Sequence, residues 1–148
     1  MQKESIVKDP GLAPEGHRKI DWAARHSPVL NVVRDEYLKD GTFDGLGVGV
    51  ALPIEAKTAY LTVVLAEAGA EVAVASPGPF FVQDDVAAAL AERGVTVYAS
   101  SESPPEEADR ELERVLDRAA GDREAVLIDD RAGLVQRRGR ERCRWNAG

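Results

Sequence analysis

The residues of this sequence best suited to chemistry follow short apolar runs. Asp130 is the second residue of the acidic pair that ends the run 125–128, and Glu55, Lys57 and Thr58 come after the run 46–52. A carboxylate in such a place can accept a hydrogen bond from a ligand hydroxyl, and with a raised pKa it can act as a base. The alternatives stay open: Glu55 complements a helix dipole, Lys57 is solvated, Thr58 bonds the preceding turn, and Asp130 pairs with Arg131.

A second group of candidates lies between residues 77 and 85. Gln83 and Asp84 open a predicted helix, where they either contact a ligand or supply ordinary helix-start chemistry. Phe81 and its neighbour Phe80 stand among prolines and predict an apolar lip that could stack on a flat ring such as adenine. The alternative for the two phenylalanines is a subunit interface or the core.

Alternating strands and helices must position these residues. Apolar runs predict strands at 46–52, 71–75, 95–98 and 125–128, and helical spacing predicts helices at 15–26, 28–40, 55–68, 84–92 and 104–120. The alternation predicts an α/β fold: a Rossmann-like three-layer sandwich with a mainly parallel sheet of about four to five strands and leading N-terminal helices. Ligands of such sheets bind at the carboxyl ends of the strands, where the candidates lie.

Length and composition predict one globular domain. The 148 residues are 44% hydrophobic and 30% charged, and we assign residues 1–135 to a single α/β domain. Five arginines follow within residues 137–144, so residues 136–148 are interpreted as an Arg-rich, flexible tail. The alternative is that this basic segment binds an anionic partner.

Charge and cysteine content restrict the compartment and the partners. The net charge of −7 argues against nucleic acid or a membrane as the main partner. Cys143 is the single cysteine, which excludes an internal disulfide and fits a reducing compartment. The sequence has neither an apolar run of about 20 residues nor a signal-peptide core, so we expect a cytoplasmic protein.

Three segments in order carry a family resemblance. The segment from Gly49 to Ala59 is similar to a run with His-x-Glu-Ala-Lys-Thr-Ala, and the segment from Pro79 to Leu90 resembles Asn-Pro-Leu-Ser-Thr-Gln-Asp-Asp-Val-Ala-Ala-Ala-Leu. The third, 127–130, resembles a strand that ends in Asp-Asp-Gly-x-Asp-Leu. All three resemble S-adenosylhomocysteine hydrolase, over residues 8–135 and in its substrate-binding half. The resemblance implies that Glu55 and Lys57 line an adenosine pocket and that Asp130 performs acid–base chemistry at the ribose.

The departures from the family pattern bear on its reaction. The resembling family has a histidine of its catalytic site where Pro53 stands, polar residues where Gly78, Phe81 and Val82 stand, and glycine where Arg131 stands. It also has an NAD-binding Gly-x-Gly-x-x-Gly segment, and the glycines at 45, 47 and 49 do not match that pattern because no strand precedes them. The family's reaction draws hydride from a ribose carbon to NAD, so we expect this chain alone not to carry it out.

These observations support two functions of different kinds. The first is an adenosylhomocysteinase-like domain, repurposed to bind a nucleoside- or amino-acid-containing small molecule and to catalyse, if anything, a step without a cofactor. The second is a non-catalytic regulatory or partner-subunit module. We expect no cofactor and no metal, a ligand that contains adenosine, and a homodimer.

Overall fold

The computed structural model describes residues 4–39 and 41–145, with side chains described up to residue 139. Two leading helices are followed by four strands that alternate with helices. Their bounds are α1 (Ala13–Arg25), α2 (Pro28–Glu36), β1 (Gly47–Ala51), α3 (Ala56–Glu67), β2 (Glu71–Ala75), α4 (Asp84–Glu92), β3 (Thr96–Tyr98), α5 (Glu107–Ala120), β4 (Ala125–Asp129) and α6 (Gly133–Trp145).

The strands form one parallel sheet in the order β3-β2-β1-β4 within the part of the chain described. The register places Val48 of β1 between Val72 of β2 and Val126 of β4. The predicted α/β fold with a parallel sheet and N-terminal helices is therefore confirmed, with four strands.

Helices cover both faces of the sheet because the side chains of each strand alternate between them. Val48 and Val50 of β1 belong to the larger core, beneath α1, α3 and α4. Ala51 of β1 belongs to the second core, with Leu116 of α5 and Leu134 of α6. The result is the three-layer sandwich that the sequence predicts.

Helix α1 packs closely on α4 and also contacts α3. Ile20 and Ala23 of α1 are buried in the core. Gly16 permits the close approach to α4: a Cβ atom at this position would lie 1.9 Å from the carbonyl oxygen of Asp85. The leading helices are thus an integral part of the fold.

The segment before α1 runs beside the outer strand of the sheet. The Ile6 N–H donates to the Val97 carbonyl at 2.7 Å, and the Ala99 N–H donates to the Ile6 carbonyl at 3.0 Å. These two bonds satisfy backbone groups on the open edge of β3, which an edge strand would otherwise expose.

Of the C-terminal segment interpreted from the sequence as a tail, 136–148, the described residues 136–145 lie inside a helix. α6 begins at Gly133, before the predicted boundary, and Leu134 is fully buried against the second core. The Arg137 guanidinium contacts Asp109 of α5 and donates to the Gly133 carbonyl at 2.8 Å. The side chains described end at residue 139, so they do not include those of Arg140, Arg142, Cys143 and Arg144.

No helix among the described residues is long and apolar enough to span a membrane.

Candidate functional site

The strand order creates a crevice between β1 and β4. The chain steps from β1 to β2 to β3 in one direction and then returns to the other side of β1, so the connections diverge there. Ligands of open parallel sheets bind at such switch points. Ala51 is paired with Asp129, so Leu52 and Asp130 leave the sheet side by side.

Two hydrogen bonds join the loop after β1 to the loop after β2. The Ile54 N–H donates to the Phe81 carbonyl at 2.8 Å, and the Gln83 N–H donates to the Ile54 carbonyl at 3.0 Å. Glu55, the next residue along, is thereby held near Phe81 and Gln83. The candidates from the first two predicted segments therefore do lie together.

The loop after β4 joins them through Arg131. Its guanidinium carbon lies 4.6 Å from the centre of the Phe81 ring, a cation–π contact. This contact links the β4 loop to the β2 loop at the end of β1. We call the three loops, residues 52–55, 76–83 and 130–132, the switch-point loops.

The two carboxylates at the end of β4 have different surroundings. Asp129 accepts hydrogen bonds from the backbone N–H groups of Arg131 at 3.1 Å, Leu134 at 2.6 Å and Val135 at 3.3 Å, so it caps α6. Asp130 is exposed and has no hydrogen bond or ion pair to any residue in the described ranges. The alternative of an Asp130–Arg131 ion pair is therefore not found there.

The turn that carries Arg131 has an unusual backbone. Ala132 has a φ of 58°, in the left-handed region that residues with a Cβ atom rarely adopt. Such a conformation costs about 1–2 kcal/mol, and the surrounding structure must hold it. The three amide contacts to Asp129 do so, and they fix where Asp130 and Arg131 emerge.

The three candidates at the start of α3 divide into a structural and an exposed set. Thr58 Oγ1 donates to the Pro53 carbonyl at 2.5 Å and accepts from the Glu55 N–H at 3.2 Å, so it fastens the start of the helix. Lys57 Nζ lies 3.9 Å from Glu55 and its side chain is 76% exposed. Lys57 is thus available to a ligand, whereas Glu55 and Thr58 form a capping box in which the Glu55 side chain accepts from the Thr58 N–H.

The two candidates at the start of α4 point to different neighbours. Gln83 Oε1 accepts from Lys19 Nζ of α1 at 3.1 Å. The Asp84 carboxylate accepts from the Ser101 N–H at 2.9 Å and lies 3.7 Å from Lys8 Nζ. Asp84 therefore ties α4 to the loop after β3, away from Asp130.

Free space lies on the surface around these loops. The region beneath Pro53, bounded by Ile54 and Thr58, has no room for a water molecule. An open groove of about 260 Å³ lies between α1 and the start of α3, lined by Lys19, Trp22 and Ala56 among others. Ala56 is flanked by Glu55 and Lys57, so the groove adjoins the predicted pocket residues.

The glycines of β1 do not form a nucleotide-binding turn. They lie before and within the strand, and a Cβ atom at Gly47 would lie 1.7 Å from the Ala119 carbonyl oxygen of α5. At Gly49 a Cβ atom would lie 2.9 Å from the Leu127 side chain. These glycines therefore do not form an NAD-binding turn, since atoms of α5 or β4 pack against each of them and the turn after β1 contains Pro53.

A buried carboxylate that the sequence analysis missed lies on the other side of the sheet. Glu111 of α5 is 2% exposed and accepts a hydrogen bond from Ser103 Oγ at 2.6 Å. Burial raises the pKa of the Glu111 carboxyl above its ordinary value of 4.5, and the Glu107 charge acts in the same direction. The Ser103 hydrogen bond and Arg114 lower the pKa in part. Helical spacing could have indicated this burial, because Glu111 lies next to Leu112 and four residues before Val115, both on the buried face of α5.

Glu111 makes stability depend on pH. The folded state holds the proton more tightly than the unfolded chain, so the free energy of unfolding falls as pH rises from 4.5 through the raised pKa. We expect Glu111→Gln, which keeps the shape without the charge, to raise this free energy at pH 7.5 and to flatten its fall between pH 5 and 7.5. Urea unfolding at both pH values measures this.

Glu113→Gln is the matched control for this experiment. Glu113 lies on the same helix and is exposed, so its replacement should leave the pH dependence as it is in the parent protein. Equal pH profiles for Glu111→Gln and the parent would show that the fold does not raise the pKa of the Glu111 carboxyl.

Together the fold and the switch-point loops define a class: an open parallel α/β domain with a crevice at its switch point. Comparison with known proteins gives the family. The family profile of S-adenosyl-L-homocysteine hydrolase matches residues 4–139. The chain belongs to this family, and the resemblance found in the sequence is confirmed.

Curated relatives show how much of the family's length is present. An S-inosyl-L-homocysteine hydrolase of Methanococcus maripaludis is 45% identical over 131 residues, which cover 88% of this chain and 31% of the relative. An adenosylhomocysteinase of Thermococcus kodakarensis is 41% identical over 133 residues, 90% of this chain and 31% of the relative. An adenosylhomocysteinase of Archaeoglobus fulgidus is 45% identical over 121 residues, 82% and 29%. The chain thus spans about a third of the length of these relatives.

Proposed function

We propose that this chain binds a small molecule containing a purine nucleoside at the switch-point loops. The observation that carries the proposal is the Asp130 carboxylate, which lies at the crevice between β1 and β4 and has no partner among the described residues. Phe81 and Glu55 lie on the adjoining loop ends and offer an apolar face and a second carboxylate. Such a combination suits a ligand with a flat ring and several hydroxyl groups.

The names of the relatives support the choice of ligand. They are hydrolases of S-inosyl-L-homocysteine and adenosylhomocysteinases, so both names point to a purine nucleoside joined to homocysteine. The proposal for this chain is accordingly a ligand of that chemical class, with adenine and hypoxanthine as the two bases to compare. Asp130 accepts a hydrogen bond from a ribose hydroxyl, and Glu55 or Lys57 contacts the ring or its substituents.

Any chemistry proposed for these residues is proton transfer. Asp130 is the described carboxylate placed to take a proton from a ligand hydroxyl, and its neighbour Asp129 is occupied by backbone amides. The repurposed, cofactor-independent step expected from the sequence would have to use Asp130 as its base. Product analysis of each ligand mixture, by chromatography, distinguishes such a step from binding alone.

A non-catalytic module is the second proposed function, and the site around Pro53 favours it. Proline has no titratable group, and the space beneath it admits no water. A ligand would then rest on the surface of the loops without being enclosed, as suits a sensor or a partner subunit. Saturable binding with unchanged ligand would support this function over catalysis.

The homodimer and the cytoplasmic location remain predictions. Val29 and Val32 of helix α2 and Tyr37 directly after it are exposed to solvent, by 77%, 49% and 71%. Burying such side chains between two copies would favour a symmetric dimer. Light scattering at tens of micromolar tests this, and a monomeric mass would contradict it.

Asp130→Asn tests the proposed function directly. The amide keeps the size of the side chain and removes its charge, so a hydrogen bond from a ligand hydroxyl to a carboxylate becomes one to a neutral oxygen. We expect affinity for adenosine and S-adenosyl-L-homocysteine to fall about tenfold, since charge-assisted hydrogen bonds are roughly twice as strong as neutral ones. Isothermal titration calorimetry of the two proteins measures the change.

Asp122→Asn is the control, because Asp122 is also exposed but precedes β4 at the opposite end of the strand. Its affinity should equal that of the parent. If Asp130→Asn binds as tightly as Asp122→Asn, Asp130 does not contact the ligand. If the parent binds none of the purine nucleosides, the proposed function is wrong.

A further inference from the structure

Among the described residues, the guanidinium of Arg131 is held by one contact, with an aromatic ring. It lies over Phe81 at 4.6 Å, and it makes no hydrogen bond or ion pair with any residue that the structure describes. The N–H donors of a guanidinium point outward in the plane of the group. When one face of the group rests on an aromatic ring, these donors remain free to bind a planar anion. A bidentate contact to a carboxylate is the usual use of such donors.

Both neighbouring carboxylates leave this charge available. The carboxylate oxygens of Asp129 accept hydrogen bonds from the amides of Arg131, Leu134 and Val135. Asp130 is exposed and lies outside ion-pair distance of Arg131. A cation and an anion thus stand next to each other in the chain, each without a partner among the residues described.

The contact between Phe81 and Arg131 joins residues that are distant in the sequence. They lie 50 residues apart in the sequence, yet the switch-point loops bring them into contact. Since Phe81 supplies the ring on which Arg131 rests, the position of the guanidinium depends on Phe81.

We infer that Arg131 binds the carboxylate of the α-amino-acid head group of the ligand, while Asp130 remains with the ribose hydroxyl. This inference rests on the proposed function and makes it more specific. The head-group carboxylate is a planar anion, which matches the free N–H donors of the Arg131 guanidinium. Phe81 is a positioning residue in this arrangement, because it acts through Arg131.

The test compares two ligands that differ in the head group. S-adenosyl-L-homocysteine carries the amino acid, and 5′-methylthioadenosine has the same nucleoside and thioether sulfur without it. We expect the parent protein to bind S-adenosyl-L-homocysteine about tenfold more tightly, as one bidentate charged contact would give. Calorimetry at fixed ionic strength measures both affinities.

Substitutions then assign the difference to residues. Arg131→Gln should lower affinity for S-adenosyl-L-homocysteine about tenfold and leave 5′-methylthioadenosine unchanged, and Arg131→Lys should fall in between because lysine cannot bind in two places at once. Phe81→Leu should lower the affinity for S-adenosyl-L-homocysteine about threefold more than the affinity for 5′-methylthioadenosine, since the lost cation–π contact acts on the head group alone. Arg25→Gln, on the exposed end of α1, is the matched control.

Each outcome separates the inference from the function on which it rests. Equal affinity of the parent for both ligands overturns the head-group inference and leaves nucleoside binding intact. Loss of both ligands in Arg131→Gln, with a lowered melting temperature, overturns it as well, because Arg131 would then support the loop. Binding of neither ligand by the parent overturns both proposals.

Discussion

Gly47→Ala is expected to cost about 3 kcal/mol or more of folding stability. A Cβ atom at this position would lie 1.7 Å from the carbonyl oxygen of Ala119 and 2.7 Å from its carbonyl carbon. Neither atom can move alone, because Ala119 is part of the α5 backbone and is fully buried. β1 is also fixed between β2 and β4, so the end of α5 would have to lift from the sheet.

Urea unfolding followed by circular dichroism measures this cost, and Gly139→Ala is its control. Gly139 lies inside α6 with no atom within 4 Å of the added Cβ position, so alanine there should be neutral or stabilise by up to about 1 kcal/mol. A protein of this size has a total free energy of unfolding of about 5–15 kcal/mol. The loss in Gly47→Ala is a large share of it and should lower the urea concentration at the unfolding midpoint strongly. An unchanged midpoint would mean that α5 does not rest on β1.

The parts of the fold set by local patterns could be predicted from the sequence. The strand at 71–75 and the helix at 84–92 have the bounds that the pattern predicts. Alternation, turn glycines and first-turn acids are local signals, and they identify an element without reference to its neighbours. The parallel sheet then follows from the order of elements.

The buried face of α2 could not be predicted in the same way. Helical spacing places Leu30, Val33 and Tyr37 on one side, yet Tyr37 is 71% exposed while Leu30 packs on the core. Asn31 and Arg34 face inward because both bind the Tyr60 hydroxyl of α3, Arg34 Nη1 at 2.7 Å. A distant tyrosine thus decides which side of the helix is buried.

The site shows the same division between local and long-range information. The sequence could name residues at the ends of strands, and Glu55, Phe81 and Asp130 do lie on joined loops. It could not show that Asp84 is occupied by Ser101, or that Arg131 rests on Phe81. These contacts join residues 17 and 50 positions apart, so no local pattern contains them.

The acidic pair at the end of β4 gives the second large expected effect. Asp129→Ala should lower the free energy of unfolding by about 2 kcal/mol, because the carboxylate caps α6 through the amides of Leu134 and Val135 and also holds the Arg131 amide. Asp130→Ala should change it by less than about 0.5 kcal/mol, since no described residue bonds its carboxylate. Urea unfolding of the two variants measures the contrast.

This contrast decides between two interpretations of the pair, which the sequence presents as equivalent. If Asp129 carries the stability, its loss frees the start of α6 and loosens Leu134, and the turn with Ala132 is no longer held. Asp130 is then the member of the pair left for a ligand, held at the crevice by its neighbour. If the two alanine variants are equally stable, α6 does not depend on Asp129, and the placement of Asp130 and Arg131 at the switch point loses its physical basis.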